Sequence, residues 1–138
     1  MNDKKTAKPR ILIVDDDQNT VEAIQEFFQS EGFEVYTAYF SQQALDLLLE
    51  TPVDIVLTGV NQPGMSGIEL TKKIKEKYDI EVIILTGYRE GCSPETAQSV
   101  GAFELLYKPV KFIDLLNVVK RALEKRNLTS IHKWHCCN

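Results

Sequence analysis

Residues 54–69 read DIVLTGVNQPGMSGIE, and this stretch decides the fold. An apolar segment leads through a loop rich in glycine and proline to Ser66-Gly67-Ile68-Glu69, a capping-box pattern that begins a helix. Open α/β sheets usually hold their ligands on loops of this kind, at the carboxyl ends of the strands. The stretch therefore predicts a strand, a helix and a functional site between them.

The same alternation of strand and helix extends in both directions along the chain. Strands are predicted at 11–14, 33–39, 54–58, 81–85 and 102–107, each followed by a helix, the last running from Phe112 to about Arg126. Gly32 and Gly101 are placed to end helices, while Ser41 and Ser93-Pro94 are placed to begin them. This alternation predicts an α/β fold with a parallel sheet covered on both faces, but it does not give the strand order.

Composition indicates one ordinary globular domain in a chain of 138 residues, 43% apolar and 26% charged. A net charge of -4 gives no footprint for nucleic acid. No apolar run suits a membrane span or a signal peptide, so a cytoplasmic protein is expected. We predict a flexible arm at residues 1–9, a domain at 10–126 and a tail at 127–138. The His and Cys residues of the tail, within 131–137, match no recognised zinc spacing.

Polar residues follow four of the predicted strands at the same edge of the sheet. They are Asp15 and Asp16, the segment 59–61, Thr86 and Lys108. Two carboxylates, a hydroxyl and a lysine converging there are what phosphoryl transfer with a divalent cation needs. Taken singly, the acids could be helix N-terminal charges, Thr86 and Lys108 solvated surface groups, and Gly59 a loop glycine chosen for backbone freedom.

At these residues the chain resembles the receiver domains of two-component response regulators, the CheY-like family. The resemblance rests on ILIVDDD at 11–17, PVDIVLTGVNQPGMSGIEL at 52–70, VIILTG at 82–87 and Lys108-Pro109, and it extends from Ile11 to Leu123. It implies a flavodoxin-like three-layer sandwich with a doubly wound five-stranded parallel sheet in the order 2-1-3-4-5. It also implies a cis peptide before Pro109.

The resemblance implies a role for each of these residues. Asp15 and Asp16 would hold Mg²⁺ together with the backbone carbonyl of Asn61, Thr86 would be the switch hydroxyl, and Lys108 would be the family's lysine. The family's aromatic switch position falls on Leu105, which cannot report a hydroxyl movement as an aromatic rotamer does. A receiver is a signalling module rather than an enzyme, and its partner is a sensor histidine kinase or another signalling protein.

The family's phosphoacceptor aspartate falls on Gly59, and glycine has no nucleophile. Asp54 cannot replace it, because it lies at the other end of the same strand, roughly 16 Å away. Thr58 is adjacent, but neighbouring side chains of a strand face opposite sides. With only two acids facing Lys108, we predict weak Mg²⁺ binding and a lysine that pairs with one of those acids.

The preferred hypothesis is an atypical receiver, a pseudo-receiver that acts by protein–protein interaction. Its docking surface would be the fourth helix, fifth strand and fifth helix, which could also form a homodimer. No output domain is expected after Arg126. The alternatives are a conventional receiver with another acceptor, or a flavodoxin-like cofactor-binding protein, which is disfavoured because Asp15, Asp16 and Asp17 would repel a phosphate.

Overall fold

The computed structural model describes residues 8–87 and 91–137, with the backbone alone for 127–137. Strands and helices alternate along the chain. They are β1 (Arg10–Val14), α1 (Gln18–Ser30), β2 (Glu34–Ala38), α2 (Ser41–Glu50), β3 (Ile55–Thr58), α3 (Gly67–Lys77), β4 (Glu81–Thr86), α4 (Pro94–Ser99), β5 (Glu104–Tyr107) and α5 (Phe112–Cys137).

The sheet has five parallel strands in the order β2-β1-β3-β4-β5, which confirms the predicted fold class and strand order. The peptide bond between Lys108 and Pro109 is cis, as predicted. Gly32 and Gly101 adopt positive φ angles of 93° and 91° directly after helices, a conformation that suits glycine. None of the described helices is long and apolar enough to cross a lipid bilayer.

Apolar side chains fill both sides of the sheet. On one side α1 and α5 pack against the strands through Val21, Phe28 and Leu115. On the other side α2 and α3 contribute Ala44, Leu48, Leu70 and Ile74. The three central strands β1, β3 and β4 are therefore buried on both faces, which explains why their sequences are continuous apolar runs rather than alternating ones.

Two predicted helix boundaries are wrong. Ser41 does not cap α2: the cap position is Phe40, and the Ser41 hydroxyl donates a hydrogen bond to Gln62 instead. The last helix does not end near Arg126 but continues to Cys137. Residues 127–137 contain no proline or glycine, so nothing in that segment stops a helix that has already formed. The side chains of the His and Cys residues in the predicted tail lie outside the described part of the chain.

Ion pairs tie α5 to the amino-terminal edge of the sheet, opposite the predicted site. Arg126 Nη1 lies 2.5 Å from Asp54 Oδ1, and the other carboxylate oxygen of Asp54 accepts the Arg10 backbone N–H at 2.8 Å. Buried Glu81 lies 3.6 Å from both Lys75 Nζ and Lys125 Nζ. Asp54 therefore has a structural partner at this far edge, as expected of a residue that cannot serve the site.

Candidate functional site at the carboxyl edge of the sheet

Backbone hydrogen bonds join neighbouring strands at their carboxyl ends. The N–H of Gly59 donates to Val14 O at 2.9 Å, and the N–H of Lys108 donates to Thr86 O at 2.8 Å. The N–H of Asp15 donates to Ala38 O at 3.1 Å. The parallel register thus places Thr86, the last residue of β4, and the residues that follow β1, β3 and β5 at one edge, as expected from the sequence.

Asp15 and Lys108 form an ion pair at the centre of this edge. Asp15 is only 6% exposed, and its Oδ2 lies 2.9 Å from Lys108 Nζ. Its second carboxylate oxygen accepts the backbone N–H of Asp17 at 2.9 Å. The prediction that Lys108 pairs with one of the two acids is confirmed, and both oxygens of the buried acid are engaged within the chain.

The Asp15 carboxylate also occupies the space next to Gly59. A Cβ atom added at residue 59 would lie 2.8 Å from Asp15 Oδ2 and 3.4 Å from Asp15 Cγ. The first distance is shorter than a carbon–oxygen van der Waals contact, so any side chain at residue 59 would require the Asp15 side chain to move. The Asp15 carboxylate, paired with Lys108, therefore fills the space that a side chain at residue 59 would occupy.

The remaining residues of the predicted set differ in exposure. Asp16 is exposed, as is the side chain of Asn61 in the β3–α3 loop. Thr86 is fully buried and its hydroxyl donates to Gly87 O at 3.2 Å. Thr58 is also fully buried, and its hydroxyl donates to Gly59 O at 2.9 Å, so it points into the β3–α3 loop rather than toward the ion pair.

Oxygen ligands for a divalent cation are few at this edge. Of the two acids Asp15 and Asp16, Asp15 already pairs with Lys108 and accepts the backbone N–H of Asp17. The oxygen ligands that remain are the exposed Asp16 carboxylate and backbone carbonyls. Within residues 8–87 and 91–126, no three His, Cys, Asp or Glu side chains come together as metal ligands would. Because Mg²⁺ requires near-octahedral oxygen coordination and dehydrates reluctantly, this donor set fits the ion poorly while the Asp15–Lys108 pair is closed.

Comparison with known proteins identifies the family of this chain. The profile of the response regulator receiver domain family matches residues 11–120, a range that includes residues of every strand of the sheet. The chain belongs to the response regulator receiver family. The receiver domains of this family work in two-component signalling, where they interact with histidine kinases and other signalling proteins.

Receiver domains of known structure share both fold and sequence with this chain. A CheY-like receiver from Methanospirillum hungatei JF-1 is 30% identical, with a TM-score of 0.82 over 89% of this chain and 99% of that one. A receiver from Clostridium thermocellum is 32% identical, with a TM-score of 0.82 over 88% and 98% of the two chains. The regulatory protein VanR of Enterococcus faecium is 28% identical over 116 residues, or 84% of this chain and 50% of VanR. This receiver thus spans about half the length of that relative.

Leu105 lies on the β5 edge of the receiver. It pairs in register with Ile84 of β4 and packs against a small apolar cluster that includes Val60 and Ala97. Tyr107, two residues further along β5, is 46% exposed. A leucine therefore connects the β3–α3 loop to α4 by apolar packing, and the aromatic side chain of this strand, Tyr107, lies at the surface.

Sequence reasoning missed Gln62 as a part of this site. Its side chain is buried and bonds to Thr58, Gly59 and Ser41. In sequence, a glutamine between Asn61 and Pro63 resembles any polar loop residue, and its partner Ser41 is 21 positions away. Only the fold brings the two together.

Asp17 caps α1, and this gives a prediction about pH. Its carboxylate accepts hydrogen bonds from the Thr20 hydroxyl at 2.7 Å and the Asn19 N–H at 3.2 Å, and the Thr20 bond holds the pKa of Asp17 below its usual value. A carboxyl with a lowered pKa stabilises the fold above its unfolded pKa of about 3.9 and loses that contribution as pH falls through the folded pKa. We expect thermal stability to decrease below about pH 4 more steeply in the parent than in Asp17→Asn, since asparagine caps helices without titrating.

The measurement is the unfolding temperature by circular dichroism at neutral pH and at about pH 3. The control is Asp46→Asn, which neutralises an exposed acid in the interior of α2. Equal pH dependence of Asp17→Asn and the parent would show that the cap does not titrate as described.

Proposed function

We propose that this receiver transmits its signal by protein–protein contact, without accepting a phosphoryl group at the end of β3. The observation that carries the proposal is Gly59. By resemblance it occupies the family's acceptor position, and the Asp15 carboxylate lies against it in a closed pair with Lys108. The lysine that would contact a phosphoryl oxygen is already neutralised by a carboxylate of the chain.

The nearest hydroxyl gives little support to a conventional receiver with another acceptor. Thr58 is fully buried, and its Oγ1 donates to Gly59 O and accepts from Gln62 Nε2. An attacking alcohol needs a base to take its proton, and neither of these partners is one. The carboxylate of Asp15 is the other candidate nucleophile, but transfer to it would require breaking its pair with Lys108.

Weak binding of Mg²⁺ is part of the proposal. A receiver with three facing carboxylates reduces their mutual repulsion by recruiting a divalent cation, whereas two acids and one lysine are nearly balanced. Asp16 and the Asn61 carbonyl would hold the ion, and Asp15 would join them only after leaving Lys108. In a phosphorylated receiver the ion would screen the charge of the incoming phosphoryl group. A receiver without an acceptor does not need that screening.

The surface that we propose for docking is formed by α4, β5 and α5. It exposes Tyr107 and Ile113, which are 46% and 57% exposed, and a shallow groove between α4 and β5 is lined by Ala97, Phe103 and Leu105. Exposed aromatic and aliphatic side chains beside a groove are typical of protein-binding surfaces. The partner would be a sensor histidine kinase, another signalling protein or a second copy of the chain.

The test is intact-protein mass after incubation with acetyl phosphate and Mg²⁺. We expect the parent to gain no phosphoryl mass, because residue 59 carries no carboxylate and the adjacent Asp15 carboxylate is paired with Lys108. The Gly59→Asp variant, incubated in parallel, supplies a carboxylate at the acceptor position, and Gly59→Asn supplies the same bulk without a nucleophile. A stoichiometric phosphoryl mass on the parent would overturn the proposal, and peptide mapping would then identify the acceptor.

A further inference from the structure

Gln62 has a buried amide at the centre of the β3–α3 loop. The residue is 9% exposed, and its Nε2 donates to Gly59 O at 2.7 Å and to Thr58 Oγ1 at 3.1 Å. Its Oε1 accepts the Ser41 hydroxyl at 2.6 Å. Both amide hydrogens and the amide oxygen are therefore used inside the protein, which offsets the cost of burying them.

These bonds join three elements that are separate in the sequence. Ser41 is the first residue of α2, and Gly59 directly follows β3. Gln62 lies in the loop between β3 and α3. The Ser41 hydroxyl donates to this link, and Ser41 is the first residue inside α2 rather than its cap. A side chain that bonds to all three fixes their mutual positions.

The start of α3 is packed against the same backbone carbonyl that Gln62 holds. A Cβ added at Gly67 would lie only 1.7 Å from Gly59 O, and the N–H of Gly67 donates to Val60 O at 2.7 Å. Residue 67 therefore fits against Gly59 O only as glycine, and the start of α3 lies in close contact with that carbonyl. Gln62 Nε2 donates to that oxygen and so stabilises the packing of α3.

We infer that Gln62 is a positioning residue: it holds the end of β3, the β3–α3 loop and the first residues of α2 and α3 in one arrangement that depends on neither a metal ion nor a phosphoryl group. The positioning role of Gln62 is independent of the proposed function. Only the statement that this fixed arrangement is the signalling one rests on that proposal. The β3–α3 loop is thus held by the side-chain amide of Gln62 rather than by a bound ion or phosphoryl group.

The test is hydrogen–deuterium exchange of the full chain, followed by mass spectrometry of peptides that cover 59–67 and, as an internal reference, β4. In Gln62→Met we expect exchange in 59–67 to rise about tenfold, the factor given by ~1.4 kcal/mol of lost hydrogen bonding, with β4 unchanged. The matched control is Gln42→Met, the same substitution at an exposed glutamine of α2, which should leave both peptides unchanged. Ser41→Ala, which removes one bond of the three, should raise loop exchange by a smaller factor.

Two results would overturn the inference. An increase in Gln62→Met that is equal in β4 and in 59–67 would show general destabilisation rather than positioning, and an unchanged loop in both Gln62→Met and Ser41→Ala would show that the amide fixes nothing. We also expect saturating Mg²⁺ to change loop exchange in the parent less than twofold, and a tenfold slowing would show that the loop depends on metal. Phosphorylation of the parent by acetyl phosphate would overturn the proposed function instead, and would leave these exchange results standing.

Discussion

The thermal stability of a Gly59→Asp variant is expected to depend strongly on Mg²⁺. The new carboxylate would be attached to a Cβ placed 2.8 Å from Asp15 Oδ2, so the two acids would share one lysine. Carboxylates about 4 Å apart repel by ~4 kcal/mol at an effective dielectric constant of about 20, and Lys108 offsets only part of that. In EDTA the unfolding temperature should fall below that of the parent, and Mg²⁺ at about 100 times its dissociation constant should raise it by roughly 10 °C.

The control for this prediction is Gly59→Asn, which adds nearly the same volume without a charge. Because the atom that a Cβ would meet is the end of a flexible side chain, Asp15 can turn away, and the steric cost alone should be small. We expect the unfolding temperatures of Gly59→Asn and of the parent to respond little to Mg²⁺. A response of Gly59→Asn equal to that of Gly59→Asp would show that the added bulk, rather than the third carboxylate, recruits the ion.

The fold could be predicted from the sequence because its signals are local. β1, β3 and β4 are continuous apolar runs, and the turns between them carry Gly, Pro and Ser at positions that end or begin helices. Strand order has no local signal, and it is implied only by the family resemblance of the motifs at 11–17, 52–70, 82–87 and 108–109. The carboxyl-edge placement of the site then followed from the parallel sheet, and the Asp15–Lys108 pair followed from charge balance.

Features that depend on distant residues could not be predicted in this way. Ser41 has the residue type of a helix cap, but it lies one position inside α2, and the fold brings Gln62 to its hydroxyl. The closing of Asp15 over Gly59 depends on a side-chain rotamer, for which the sequence holds no pattern. The end of α5 is hard to place from the sequence, because residues 127–137 lack a clear amphipathic pattern but also contain no proline or glycine that would stop the helix.

Gly67→Ala, at the first residue of α3, is expected to be more destabilising than the same substitution in the preceding β3–α3 loop. The added Cβ would lie 1.7 Å from Gly59 O and 2.8 Å from Gly59 C, and both are backbone atoms that no rotamer change can move. Relief requires the loop to shift, which would strain the Gly67 N–H bond to Val60 O and the Gln62 bond to Gly59 O. We expect the free energy of unfolding to fall by about 3 kcal/mol or more, measured by urea denaturation, because overpacking and lost buried hydrogen bonds add.

Gly64→Ala, in the loop that precedes α3, is the matched control. A Cβ there would meet nothing within 4 Å, but Gly64 has a φ angle of +81°, so alanine should cost only the strain of a left-handed conformation, about 1–2 kcal/mol. The two variants thus separate steric conflict from backbone strain. If Gly67→Ala were no less stable than Gly64→Ala, then α3 would be able to move away from the Gly59 carbonyl at little cost, and the Gln62 bond to that oxygen could not be what fixes the loop.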